Sequence, residues 1–109
     1  IFPLHTIQIT PRDVYRYKIP HLGWNTIRDV PSSSVLFRNI SPDNHLFYFA
    51  NKFGVPLDLT QQSSLSPSVY EHEDKWVASL ERDNIFAVQF HPEKSRSQGY
   101  QLLSNFVSF

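Results

Sequence analysis

The residues best suited to chemistry lie at positions 88–95, where the sequence reads VQFHPEKS. His91 and Glu93 are two positions apart, and in an extended segment such residues point to the same side. Pro92 favours an extended His91, because a proline ring restricts the residue before it. We therefore expect a hydrogen bond between the His91 imidazole and the Glu93 carboxylate. Such a pair predicts a base whose ring is oriented by an acidic group.

An oriented imidazole needs a nucleophile to activate, and the sequence contains no cysteine. A thiol would be the natural partner, because a nearby imidazole lowers its pKa and the thiolate is the reactive form. Ser95 is the nearest hydroxyl, but Ser95 and Gln98 form a capping-box pattern that explains the serine as a helix cap. A single histidine at a strand end is more often structural, whereas the complete motif favours half of a nucleophilic site.

The sequence starts at Ile1 and contains no methionine. A primary translation product begins with methionine, so we expect these 109 residues to be part of a longer or processed protein. The N-terminal portion expected to be missing would then supply the nucleophile.

The composition is that of a globular protein, with 40% hydrophobic and 18% charged residues. A chain of 109 residues fits one domain or part of one. Ten acidic and ten basic residues balance, so the chain lacks the positive charge typical of nucleic-acid binding. No apolar run approaches the ~20 residues of a membrane span, and no signal segment opens the chain. These features predict a soluble, cytoplasmic protein that binds neither nucleic acid nor membrane.

The pattern of apolar residues predicts short strands first and a helix last. Residues 4–10 and 14–19 are rich in β-branched and aromatic residues and are bounded by prolines, which indicates two peripheral strands. Gly23 is expected to permit a turn or a close backbone approach before a further strand. Residues 35–40 have the pattern of a single helical turn. The apolar run at residues 46–50 is typical of a central strand covered on both faces.

The second half of the chain predicts a hairpin and an amphipathic helix. Residues 60–67 are polar and predict a surface loop. Trp76, Ala78 and Leu80 are expected on one side of a strand, and a polar turn leads from it into a buried strand at residues 85–90. A C-terminal helix is predicted by residues at helical spacing: Gly99, Leu102, Leu103, Phe106 and Phe109.

Residues 90–95, FHPEKS, resemble the corresponding motif of the class I glutamine amidotransferases. Residues 20–25, PHLGWN, together with the apolar run at 46–50, narrow the resemblance to the glutaminase subunit or domain of imidazole glycerol phosphate synthase. The resemblance implies that residues 1–109 are the C-terminal half of an α/β amidotransferase domain. This half would contain a mixed β-sheet and a C-terminal amphipathic helix, and it would lack the half that bears the nucleophile.

The same resemblance implies an activity and a set of site residues. His91 and Glu93 would complete a Cys-His-Glu triad that hydrolyses glutamine, and the ammonia would pass to a (β/α)₈ synthase subunit or domain in histidine biosynthesis. Four residues would lie at the interface with that partner: Trp24, Asn25, Tyr48 and Lys94. The alternative is that the two aromatic residues belong to the core. No cofactor is expected, and no metal site is expected because the histidines lack metal-ligand spacing.

One segment departs from the family pattern. The family strand is followed by a Val-His-Ser/Thr-Tyr run that helps to hold glutamine, whereas this chain reads Ala50-Asn51-Lys52-Phe53. Substrate-binding residues are therefore not assigned. The departure motivates one alternative, a non-catalytic relative that acts as a binding partner. A separate alternative is an amidotransferase serving another acceptor, such as a surface-sugar synthetase.

Overall fold

The computed structural model describes residues 4–60 and 65–109, so part of the expected surface loop, residues 61–64, lies outside the described residues. Within the described ranges the chain forms short strands and one α-helix. The strands are β1 (Ile7–Gln8), β2 (His21–Thr26), β3 (Leu46–Asn51), β4 (Phe53–Gly54), β5 (Ser68–His72), β6 (Asp74–Arg82) and β7 (Ile85–Val88). The helix is α1 (Arg96–Val107), and 3₁₀ helices occupy Pro42–Asn44, Leu57–Thr60 and Pro92–Lys94. The predicted mixed α/β class with a C-terminal helix is confirmed.

The strands pair in three small antiparallel sheets: β1 with β4, β2 with β3, and β5, β6 and β7 in that order. β2 and β3 pair along their full length, with Trp24 opposite Tyr48. Main-chain hydrogen bonds between Arg28 and Val69 join the second sheet to the third. β2 and β3 are thereby connected to the third sheet through the residues that follow β2.

The main core is a cluster rich in aromatic residues. Phe47 and Phe49 of β3 are fully buried, and the Phe90 ring lies 4.6 and 5.8 Å from their ring centroids. β6 contributes Trp76 and α1 contributes Leu102 to the same cluster. Burying a side chain of this size stabilises the fold by roughly 1.5–3 kcal/mol. The packing of Phe90 against β3 anchors the segment that immediately precedes His91.

Two strands that were expected to be buried are covered less than predicted. β3 buries Phe47 and Phe49 on one face, whereas Tyr48 and Ala50 on the other face are only partly buried. β7 is an edge strand whose residues are exposed or partly exposed. The apolar runs were correctly assigned as strands, but the described residues provide no second layer over these faces. Periodicity identifies an apolar strand without showing what covers it.

A β-bulge in β6 overturns the expected grouping of Trp76, Ala78 and Leu80. β5 advances by one residue where β6 advances by two, from Val77 to Ser79. The extra residue shifts the alternation of side chains along the strand, as bulges do. Trp76 and Ala78 accordingly lie in the main core, whereas Leu80 lies in a second cluster with Val77.

Residues 14–16 form a turn and none of residues 14–19 lies in a strand, so the strand predicted there is wrong. The Asp13 carboxylate accepts hydrogen bonds from the N–H groups of Tyr15 and Arg16, at 3.2 and 3.1 Å. Aspartate offers the backbone this local alternative to strand pairing, and a pattern of β-forming residues does not reveal it. Of the strand predicted at residues 4–10, only β1 is paired.

Gly23 lies inside β2 and is paired with Phe49, so it forms neither the expected turn nor a close backbone approach. Its φ is +125°, and no atom lies within 4 Å of the place where a Cβ would be. Glycine is therefore required by the backbone conformation and not by a lack of space.

Residues 35–40 form no helix, only hydrogen-bonded turns, whereas the expected hairpin of β6 and β7 is confirmed. Residues 35–40 form turns in which the Arg38 N–H donates to the Val35 carbonyl and the Ile40 N–H to the Phe37 carbonyl. The hairpin between β6 and β7 is present and closes at the pair of Arg82 and Ile85. Among residues 4–60 and 65–109, no helix is long and apolar enough to cross a membrane.

Candidate functional site

His91 is fixed at the end of the segment that follows β7. Its N–H donates to the Tyr48 carbonyl at 2.9 Å, so the segment runs beside β3 after Phe90 enters the core. His91 is extended, with φ −102° and ψ 95°, as the following proline predicts. Glu93, however, lies in the 3₁₀ helix Pro92–Lys94 and not in the extended segment that was expected. The tight turn, and not the alternation of a strand, brings the carboxylate back to the imidazole.

The predicted pair of His91 and Glu93 is formed. His91 Nδ1 lies 2.8 Å from Glu93 Oε2, and the two side chains are 37% and 58% exposed. The hydrogen bond from His91, and then a main-chain hydrogen bond, lower the pKa of Glu93. A carboxylate can only accept a hydrogen bond, so Nδ1 carries the proton, and in the neutral imidazole Nε2 then has the lone pair. A partly exposed ring in this state can take a proton from a nucleophile that approaches Nε2.

Ser95 occupies the N-cap position of α1, but its side chain makes no capping hydrogen bond, so the predicted capping box is wrong. Its hydroxyl donates to the His91 carbonyl at 2.6 Å and accepts the Tyr48 N–H at 3.0 Å. Gln98 instead donates from Nε2 to the Leu46 carbonyl at 2.6 Å. Main-chain groups of β3 and His91 that lose a hydrogen-bond partner would destabilise the fold, whereas the exposed N–H groups at the start of a helix can bind water instead. The Ser95 hydroxyl is thus committed to the backbone of His91.

Gly99 permits α1 to approach the turn that carries Glu93. A Cβ at this position would lie 2.0 Å from the Pro92 carbonyl oxygen and 2.8 Å from the Ser95 Cβ. The apolar pattern places Gly99 on one face of the helix and indicates nothing more about it. The presence of a glycine could have indicated the contact. A glycine inside a helix lowers helix stability by about 1 kcal/mol relative to alanine, and it often marks a close approach of another segment.

Three of the four predicted interface residues lie together on the surface. The Trp24 and Tyr48 rings meet edge to face with centroids 5.8 Å apart, and Lys94 Nζ lies 5.9 Å from the Tyr48 ring centroid. Trp24 is 37% exposed and Tyr48 is partly exposed, so neither is a core aromatic residue. Arg96, which sequence analysis missed, places its guanidinium 5.0 Å from the Trp24 ring centroid. We call Trp24, Tyr48, Lys94 and Arg96 the aromatic patch.

Asn25 is the predicted interface residue that does not join the aromatic patch. Its Nδ2 donates to the Glu71 carbonyl at 2.8 Å and lies 3.3 Å from His21 Nε2. Neighbouring residues of a strand point to opposite faces, so Asn25 faces away from Trp24. The geometry gives Asn25 a role in joining β2 to β5.

The histidine that Asn25 contacts is buried among rings on the inner side of β2. The His21 ring lies 4.2 Å from the His72 ring and stacks on Tyr70, centroid to centroid, at 5.8 Å. Burial, and then the charge of His72, lower the pKa of His21 to about 4. His21 is therefore neutral at pH 7. In the described part of the chain, no group of three or more histidine, aspartate or glutamate side chains could hold a metal ion.

The segment that departs from the family pattern is partly built into the core. Asn51 is 9% exposed, and its Nδ2 donates to the Phe53 carbonyl and the Tyr70 hydroxyl, each at 3.0 Å. Its Oδ1 has no hydrogen-bond partner among the described residues. Lys52 is exposed, with Nζ 6.0 Å from the exposed Phe53 ring. Burial raises the pKa of Tyr70 to about 12, so its hydroxyl stays protonated.

Comparison with known proteins gives consistent matches. The family model of glutamine amidotransferase class-I matches residues 6–108. The chain is 40% identical over 108 residues to imidazole glycerol phosphate synthase subunit HisH of Chlorobaculum tepidum, an alignment that covers 94% of this chain and 52% of that protein. HisH of Renibacterium salmoninarum is 39% identical over 107 residues, covering 94% and 46%. HisH of Dechloromonas aromatica is 44% identical over 95 residues, covering 86% and 41%. The chain spans about half the length of these relatives.

Proposed function

Because this chain belongs to the class I glutamine amidotransferase family, we propose that His91 and Glu93 are the base and its orienting carboxylate in the glutaminase of an imidazole glycerol phosphate synthase. The observation that carries the proposal is the 2.8 Å hydrogen bond from His91 Nδ1 to Glu93, which leaves Nε2 free. The relatives named HisH support this choice among amidotransferases.

The nucleophile in this proposal is a cysteine outside the 109 residues, since the chain has none. His91 Nε2 takes the thiol proton, and the thiolate attacks the side-chain carbonyl carbon of glutamine. The imidazolium then returns the proton to the leaving nitrogen, and ammonia departs as a glutamyl thioester forms. Water, deprotonated by His91, hydrolyses the thioester to glutamate. Glu93 stabilises the imidazolium at each stage, as the carboxylate of such a triad does.

The aromatic patch is the proposed contact surface for the (β/α)₈ synthase that receives the ammonia. Exposed aromatic rings and arginine are enriched where proteins bind one another. The patch adjoins the base directly, because Lys94 lies in the same 3₁₀ helix as Glu93. Ammonia released beside His91 would thus emerge next to the bound partner.

An ammonia-release assay with glutamine tests the proposal on the natural gene product mixed with its synthase. His91→Ala should lower kcat by at least about a hundredfold, the contribution expected of a general base. His5→Ala is the matched control, since His5 is exposed and lies outside the site. Equal ammonia release by wild type and His91→Ala would refute the assignment.

A second candidate function is favoured by the segment around Asn51. Its buried side chain and the exposed Lys52 stand where the family pattern has residues that help to hold glutamine. A relative that binds the synthase without hydrolysing glutamine would keep the aromatic patch and release no ammonia. Binding of the synthase, weakened by Lys94→Glu, together with absent glutaminase activity would establish this alternative.

A further inference from the structure

We propose that Ser95 is a positioning residue that holds the main chain of His91 against β3, an inference that rests on the proposed role of His91 as the base. Three hydrogen bonds form a closed ring. The His91 N–H donates to the Tyr48 carbonyl at 2.9 Å, the Tyr48 N–H donates to Ser95 Oγ at 3.0 Å, and Ser95 Oγ donates to the His91 carbonyl at 2.6 Å. Both polar main-chain groups of His91 are therefore fixed to one strand.

The Ser95 hydroxyl is the only side chain in this ring of hydrogen bonds. Ser95 is 0% exposed, so water does not replace it in the folded chain. Its removal would leave the Tyr48 N–H without its partner beside a fully buried residue, and would leave the His91 carbonyl with the Lys94 N–H, which lies 3.1 Å away. An unpaired buried main-chain donor is unfavourable, so we expect the segment to shift.

The residue after Ser95 has a strained backbone conformation that the Ser95 contacts help to maintain. Arg96, the next residue, has φ +56°, a left-handed conformation that non-glycine residues rarely adopt. Such a conformation persists only where surrounding contacts impose it. The turn is held by the Ser95 hydrogen bonds on one side and by the approach of Gly99 to Pro92 on the other. The strain is thus located directly beside the residue that fixes His91.

Displacement of the main chain moves the imidazole relative to Glu93 and weakens the hydrogen bond that holds the proton on Nδ1. A misplacement of about 1 Å at a reacting group can cost about a hundredfold in rate. Loss of the hydroxyl should therefore lower kcat while leaving the affinity for glutamine unchanged. A purely structural role would instead reduce the amount of folded protein without changing the kcat of the folded fraction.

The test compares Ser95→Ala and Ser95→Cys with wild type in the natural gene product bound to its synthase. A thiol is a weaker donor and acceptor than a hydroxyl, so it should retain part of the function. We expect kcat per folded molecule to fall about tenfold to a hundredfold in Ser95→Ala and less in Ser95→Cys, with KM within about twofold of wild type. Ser97→Ala, an exposed serine two residues along, is the control and should match wild type.

A second readout is independent of turnover. The ¹⁵N chemical shifts of the His91 ring should show the Nδ1–H tautomer in wild type and a smaller share of it in Ser95→Ala. Wild-type kcat in both variants, or unchanged ring shifts in Ser95→Ala, would overturn the positioning role. If Ser95→Ala does not fold, Ser95→Cys decides alone by the same kcat criterion. Failure of the proposed function would show differently, as full activity in His91→Ala.

Discussion

The hydrogen bond from His91 is the largest of several influences on the pKa of Glu93. The hydrogen bond from His91 lowers the pKa of Glu93, so the pair stabilises the fold above the carboxyl pKa of the unfolded chain. This stabilisation is lost as the pH falls through the lowered value in the folded chain. We predict that His91→Ala raises the pKa of Glu93 toward its ordinary range, as measured by ¹³C NMR of the carboxyl carbon. His5→Ala should leave it unchanged, and an unchanged value in His91→Ala would show that other groups set it.

His21 predicts a separate pH dependence of stability. Its pKa is lowered from 6.5 to about 4, so the unfolded chain binds more protons between these values. The free energy of unfolding should therefore rise with pH across this window, by on the order of 3 kcal/mol in total. Urea unfolding of the natural gene product at several pH values measures the slope. His21→Phe should reduce the slope by the amount that corresponds to about one bound proton, and His5→Ala should leave the slope unchanged. Equal slopes in wild type and His21→Phe would contradict the assignment.

The sequence predicted the contact between His91 and Glu93, but it did not predict that Ser95 binds the main chain of His91. The spacing of His91 and Glu93 correctly indicated a hydrogen bond, although a 3₁₀ helix and not an extended segment forms it. Ser95 fitted a capping box, and no local pattern shows that its hydroxyl binds Tyr48, 47 positions away. A serine has one hydroxyl and several possible partners, and tertiary packing chooses among them.

At the scale of elements, the contact between α1 and the 3₁₀ helix Pro92–Lys94 determines where the site lies. Alanine at position 99 would favour helix formation by about 1 kcal/mol, but its Cβ would overlap the Pro92 carbonyl. Because a main-chain atom blocks it, we predict a net destabilisation of roughly 1–3 kcal/mol. Denaturant unfolding of Gly99→Ala measures this, with Ser97→Ala as the control in the same helix. A stabilised Gly99→Ala would contradict the close approach.

Helices and strands were predicted correctly where the spacing of apolar residues or a polar turn was clear in the sequence. The helix α1 follows from apolar spacing, and the hairpin of β6 and β7 from its polar turn. The bulge at Ala78 and the turn after Asp13 were missed because periodicity shows neither an inserted residue nor a local hydrogen bond from a side chain. Arg96 was missed because its place over Trp24 follows a left-handed backbone that the apolar pattern does not show.

At the scale of the whole molecule, the described residues leave apolar surface open. A groove between β7 and α1 is lined by Leu36, Phe86, Val88, Pro92, Leu102, Leu103 and Phe106. The unpaired edge of β7 adjoins it. Exposed apolar surface beside a free strand edge promotes association. We therefore predict that the 109-residue chain by itself self-associates as its concentration rises.

Sedimentation velocity measures this self-association. Phe106→Glu places a charge in the groove and should reduce it, whereas Tyr100→Glu, at an exposed position of the same helix outside the groove lining, should not. A monomer at all concentrations in the unmodified chain would contradict the prediction.

The central claim is that this chain supplies the base of a glutaminase site and a cysteine elsewhere supplies the nucleophile. Acid-quenched reaction of the natural gene product and its synthase with glutamine, followed by peptide mass spectrometry, locates the glutamyl adduct. We predict an adduct on a cysteine outside these 109 residues, formed at least about a hundredfold more slowly in His91→Ala. An adduct on Ser95 or any other residue of this chain, or an unchanged rate in His91→Ala, would contradict the claim.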